Sequence, residues 1–206
     1  MGAGDRIGNE VLVEAGLEAM RQCGKPLSRL PSKGRAMIYT LPNGETVRMR
    51  TCNDHVLIVV GDRPEPDAKL NIEGTDWLLV VMPEVERRQG RIVAYLLPTA
   101  EVEAEARRTH KDWLASNPNT KGDGRAWPLW FGSDAPGKAN DYGNKWAKYR
   151  LDTTVDTTIG VHSSTEAGVV GQQGNIKAAV ENARRQIAEI AGVPAEAVKI
   201  IINFEG

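Results

Sequence analysis

Apolar residues near the start of the chain recur at three- and four-residue intervals, at Ile7, Val11, Leu12, Ala15 and Met20, before Gly24. That spacing places them on one helical face. It predicts a helix capped by Asp5, running to about residue 22 and stopped by Gly24. After a polar stretch punctuated by Pro and Gly, residues 36–40 and 46–51 flank Leu41-Pro-Asn-Gly-Glu45, which predicts a hairpin turning at Asn43-Gly44. Residues 55–60 predict a third strand, 61–69 a proline-bearing loop, and 77–82 and 91–97 two apolar strands separated by the charged turn 84–90. These two strands are expected in the buried middle of a sheet. Residues 99–115 read as a helix capped by Thr99, with Glu101, Glu103 and Glu105 early and Arg107, Arg108 and Lys111 late, as the helix dipole favours.

From 116 to 151 no period persists, and long loops with short elements are expected, a kind of stretch that in a compact domain serves function or moves. Residues 152–174 read as a linker or a weak strand pair. Asn175 then caps a helix whose apolar stripe is Ile176, Ala179, Val180, Ala183, Ile187 and Ile190, ended by Gly192 and Pro194, and 198–204 form a closing strand. The pattern thus divides the chain into an α/β (α+β) domain over 1–151, a central mixed sheet flanked by helices, and a helix-strand appendage over 152–206. The appendage can pack on the main sheet or join two copies in a homodimer.

Composition narrows this picture. Hydrophobic residues make up 41% of the 206 and charged residues 26%, a globular balance. The longest apolar runs are far shorter than the roughly 20 residues a bilayer requires, and no apolar signal core opens the chain, so no membrane span and a cytoplasmic location are expected. Cys23 and Cys52, the only cysteines, are too few for a disulfide framework or a thiolate zinc site and read as reduced, structural thiols. A net charge of −1 excludes the overall basicity of a histone-like protein. The distribution is uneven: residues 107–150 hold nine Lys/Arg against four Asp, a net of +5, and seven of the eleven aromatics.

That enrichment carries the first candidate chemistry. Interleaved cations and rings suit a single-stranded or distorted nucleic acid, with Lys121, Arg125, Lys138 and Lys145 meeting phosphates and Trp127 and Trp130 stacking on bases. The bland alternative makes Trp113, Trp127, Trp130 and Trp146 core anchors of a loop-rich lobe, and Trp, Tyr and Arg are also the residues of protein-binding hot spots. There is no P-loop, no Gly-x-Ser-x-Gly and no His-Glu-x-x-His. His55, His110 and His162 are dispersed without metal-ligand spacing and read as surface or satisfied histidines. Glu10, Glu14 and Glu18 share one helix face, where a solvated acidic stripe explains them as well as a metal role does.

The order of a helix, a hairpin, Asp76-Trp-Leu-Leu-Val-Val-Met82, a charged turn, Arg91-Ile-Val-Ala-Tyr-Leu-Leu-Pro98 and a second helix resembles the restriction-endonuclease-like, PD-(D/E)XK fold over residues 7–150. Val47-Arg-Met-Arg-Thr51 occupies the place of that family's strand ending in Gln/Glu-x-Lys-Thr, and Asp141-Tyr-Gly-Asn-Lys-Trp146 looks like its closing polar-aromatic segment. The family motif holds a divalent cation with an acid pair and positions water with a lysine. Here Arg48 stands in the place of the acid or Gln and Arg50 in that of the lysine, and no acid precedes them in residues 36–40. A guanidinium there repels Mg²⁺ and suits a phosphate. The resemblance therefore implies a nucleic-acid-binding protein on a catalytically degenerate nuclease scaffold, with Arg48 and Arg50 as phosphate contacts and no cofactor. One alternative is an active Mg-dependent nuclease using Glu10, Glu14 and Asp76, with Asp54 as a further acid of a migrated site. The other is a non-enzymatic protein-interaction or inhibitor module.

Overall fold

The computed structural model describes residues 6–31, 36–118, 124–132 and 141–158, with Pro194 and Ala197 beyond them. The chain divides into two compact units, 1–163 and 164–206, and the elements below belong to the first. Asp5, Lys121, Lys138, His162, the expected helix after Asn175 and the expected strand 198–204 lie outside the described residues.

Helix α1 spans Asn9–Gln22. Its N-cap is Gly8 rather than the expected Asp5, because Ile7 is held out of the helix: its N–H donates to Asn53 Oδ1 at 3.1 Å and its carbonyl accepts from Asn53 Nδ2 at 3.0 Å. Gly24, at φ +69°, ends the helix as expected, and the Lys25 N–H closes on the Met20 carbonyl in a Schellman arrangement. Strands β1 (Ser28–Arg29), β2 (Ile38–Thr40) and β3 (Thr46–Thr51) follow, the last two joined by the expected turn with Gly44 at φ +89°. β4 is Val56–Val60, β5 Trp77–Pro83 and β6 Ile92–Pro98. Helix α2, Thr99–Ser116, starts directly after β6, so its N-cap is Pro98, and Thr99 is its first residue rather than its cap.

The main sheet runs β1-β2-β3-β5-β6. β3 and β5 are parallel and every other neighbouring pair is antiparallel, giving the mixed sheet that the patterning implied. Its two faces follow from strand alternation. On one side Val47, Met49, Leu79, Val81, Ala94 and Leu96 pack under Leu12, Ala15, Ala19 and Met20 of α1. On the other, Leu78, Val80, Met82, Tyr95 and Leu97 meet Val102 and Ala106 of α2.

That second face also carries a two-stranded ribbon. β4 leaves the main sheet and pairs antiparallel with β7, Ala126–Trp130, placing Leu57, Val59, Trp127 and Leu129 in the core. Short helix α3, Tyr142–Lys145, and a 3-10 turn at Ala147–Tyr149 close the lobe with Tyr142 and Trp146 buried. Beyond them the chain runs along β6. Leu151 N–H donates to the Ala94 carbonyl, Ile92 N–H donates to that of Val155, and Val155 is buried. The first residues of the expected linker are therefore edge backbone of the sheet. Among the described residues, no helix is long and apolar enough to cross a membrane.

Candidate anion-binding cleft

β3 alternates sharply. Val47 and Met49 are buried under α1, so Arg48 and Arg50 must point to the opposite face. β2 pairs with β3 only as far as Ile38 opposite Arg48, with one further bond from Met49 N–H to the Met37 carbonyl. Past that point no described strand residue pairs with β3 on the β2 side. A cleft of about 270 Å³ opens there, lined by Asn9, Met37, Arg48, Arg50 and Thr51, with no carboxylate among its described lining residues. Asn9 is fixed by the Thr51 hydroxyl, which donates to its side-chain oxygen.

The two guanidinium groups are not equivalent. Arg50 Nη2 donates to the Ile58 carbonyl at 2.9 Å, tying the main sheet to the β4–β7 ribbon. Arg48 Nε is buried with no acceptor, and neither arginine forms an ion pair with a described residue. Burial, then the charge of Arg50, holds the Arg48 guanidinium below its ordinary pKa. An uncompensated cation beside a like charge is costly in a protein wall. A bound anion relieves the repulsion between the two guanidinium groups, and a planar fork of donors suits phosphate.

The acids proposed for a metal do not converge. Asp76 accepts from Thr46 N–H and Oγ1, both at 2.7 Å, at the first residue of β3; these bonds hold its carboxyl below the usual range. Glu10 sits beside Asn9, which is bonded to Thr51 at the other end of that strand. Five strand steps, roughly 17 Å, separate the two ends. Glu14, one turn further along α1, lies near the Tyr39 hydroxyl, and its charge helps to raise the Tyr39 pKa, though burial raises it more. Asp54 is engaged by Arg6 and Arg87. Among the described residues, no group of three His, Cys, Asp or Glu side chains is placed to hold a metal ion.

The basic-aromatic stretch is corrected in part. Trp127 is 1% exposed, stacked on His110 at 4.2 Å and 12°, with its Nε1 donating to the Gly124 carbonyl. A base has no access to its ring, so it is a core anchor, like Trp146. Lys145 is committed to Glu105 at 2.6 Å. Arg125 is exposed just before β7, and Trp130 is half-buried at its end. His110, capped by the Pro64 carbonyl at 2.6 Å, is the satisfied histidine that dispersion suggested. Cys52 is buried, which pushes its thiol up to about 12.

Sequence reasoning found the arginine pair but not Asn9 and Thr51, which no linear signal connects to it. His55, read as a surface or satisfied histidine, has its Nε2 2.6 Å from the Pro83 carbonyl, and its φ of +49° appears only in the fold. Comparison with protein-family models, with curated proteins and with solved structures finds no match to this chain.

Proposed function

We propose that this chain binds nucleic acid, with Arg48 and Arg50 receiving backbone phosphate in the cleft at the end of β3. The observation that carries the reading is the placement of two guanidinium groups, neither ion-paired with a described residue, in one cleft with no acid among its described lining residues. Cations whose counter-charge comes from the ligand are the means by which proteins hold a phosphate backbone. The scaffold reading, a degenerate restriction-endonuclease-like domain, rests on the succession α1, the β2–β3 hairpin, β5, β6 and α2. Binding without cleavage is favoured over the nuclease alternative because Asp76 and Glu10 stand at opposite ends of β3.

The test is a fluorescence-anisotropy titration of labelled single- and double-stranded DNA and RNA at about 50 mM and about 200 mM salt. Binding that weakens steeply with salt is the expected result, and absent or salt-independent binding overturns it. Incubation of the same nucleic acids with Mg²⁺ or Mn²⁺ is expected to leave them intact.

A further inference from the structure

A strand with one face in the core and one in water normally alternates apolar with polar residues. The β4–β7 ribbon departs from that rule. Its inner face places Leu57, Val59, Trp127 and Leu129 in the core. Its outer face is apolar too: Val56 lies opposite Trp130, Ile58 opposite Pro128 and Val60 opposite Ala126. Ile58 is 42% exposed and Val60 38%, and Pro128 and Ala126 are exposed beside them. Three cross-strand pairs thus form one apolar patch at the surface, a feature that marks interaction sites.

The backbone and the dimensions of the ribbon narrow what can lie there. Addition of a further strand is hindered on both edges. On β4 the Ile58 carbonyl accepts from Arg50 Nη2 at 2.9 Å, the Val60 N–H donates to Asn71 Oδ1 at 3.0 Å and the Val60 carbonyl accepts from the Asn71 N–H at 2.9 Å. On β7 the middle residue is Pro128, which has no N–H to give. A ligand therefore meets side chains rather than backbone. Five residues at about 3.4 Å and two strands about 4.8 Å apart make a face of roughly 17 Å by 10 Å. That is well below the roughly 800 Å² that each partner gives to a stable protein interface.

The charge beside the patch is positive. Arg50 lines the cleft at the end of β3 and also bonds the Ile58 carbonyl, so the cleft and the ribbon share a boundary. The matching ligand has anions at that boundary and flat, weakly polar surfaces next to them. A duplex presents its phosphates but keeps its base faces stacked inside. We propose that the nucleic acid bound by this chain is single-stranded, with its backbone on Arg48 and Arg50 and its unpaired bases lying on the outer face of the ribbon at Ile58, Val60 and Pro128. The inference rests on the phosphate reading of the arginine pair and narrows it to unpaired strands. Little dependence on sequence follows, because Ile58, Val60 and Pro128 have no group that reads base edges and every base has an apolar face.

The experiment is an anisotropy titration of the full chain with three labelled oligonucleotides of one length: a single strand, its duplex, and a strand with the same phosphates but no bases. The single strand is expected to bind about tenfold more tightly than either of the others, as contact with a base implies. Ile58→Thr/Val60→Thr keeps the β-branched shape at two exposed positions, so it should fold, which an unfolding curve verifies. It should bring the single strand to the affinity of the duplex and leave the duplex unchanged. Equal binding of single strand and duplex, equal binding of the strand without bases, or an unaltered preference in the double variant overturns the proposal and leaves the phosphate reading standing. Absence of binding by all three oligonucleotides overturns both. Light scattering on the same proteins tests the other occupant: a dimer that the double variant abolishes, with strand binding unaltered, gives the face to a second copy and overturns the proposal.

Discussion

Arg48 and Arg50 are two residues apart on one strand, yet only Arg50 has a protein acceptor, the Ile58 carbonyl. A buried donor without a partner costs stability, so replacing it with an apolar chain of similar length removes that cost. Arg48→Met is expected to leave the unfolding free energy unchanged or raise it by up to about 1 kcal/mol while weakening nucleic-acid binding. A clear loss of stability in urea denaturation would count against the description of Arg48 as uncompensated. Trp127 behaves in the opposite way. Trp127→Ala is expected to cost about 3–5 kcal/mol, because a fully buried ring stacked on His110 is lost. Binding measured well below its melting temperature should be retained. The Thr46 bonds depress the Asp76 carboxyl in the folded chain, whereas in the unfolded chain it returns to about 4. The folded state therefore binds fewer protons, so this contribution is present above about pH 4 and is lost as pH falls through the lower folded value. The stability gap between the native chain and Asp76→Asn should narrow between about pH 7 and about pH 3, and a constant gap would contradict this. The orientation of the two arginines was legible in the alternation of Val47 to Thr51. The burial of Trp127 was one of two readings the sequence left open, and its partners His110 and Leu57, brought from other parts of the chain, decide between them.

At the level of elements, patterning located α1, the hairpin, β5, β6 and α2 to within a few residues because each has a period or a stop signal of its own. β7 escaped because Pro128 and the surrounding polar residues mask its alternation of exposed and buried positions. Proline is tolerated there because β7 is an edge strand, with Pro128 opposite Ile58 in a two-stranded ribbon. β1 escaped because two residues carry no period. The caps of α1 and α2 were misplaced for a shared reason: tertiary bonds, the pair between Ile7 and Asn53 and the one that Thr99 N–H donates to the Asp76 carbonyl, decide where each helix begins. The packing of α1 on the sheet rests on Gly16. A Cβ there would come within 2.7 Å of Val81 Cγ2 and 3.3 Å of Met49 Cε. Gly16→Ala should therefore destabilise by about 1–2 kcal/mol, overcoming the roughly 1 kcal/mol that alanine gains in a helix. A more stable variant in chemical denaturation would show that α1 is not pressed to the sheet at this point.

Across the whole molecule, two clefts follow from one departure in topology. β4 leaves the main sheet to pair with β7 on the face of β3 that carries Arg48 and Arg50, where Arg50 bonds the Ile58 carbonyl, and His55, Tyr95 and Arg150 line a second cleft. No local pattern encodes that excursion, which is why the second cleft was invisible in the sequence while the arginine pair was not. The mixed α/β architecture was legible from the succession of periods. The separation of Glu10 from Asp76 was not, because it depends on which end of β3 each element reaches. The central claim is that the arginine pair holds phosphate, and the salt dependence of binding tests it most directly. In an anisotropy titration from about 50 mM to about 200 mM salt, the Arg48→Gln/Arg50→Gln variant should bind more weakly, with a log–log salt slope shallower than that of the native chain by about two, one for each lost phosphate contact. A slope equal to the native one in a folded variant would contradict the account.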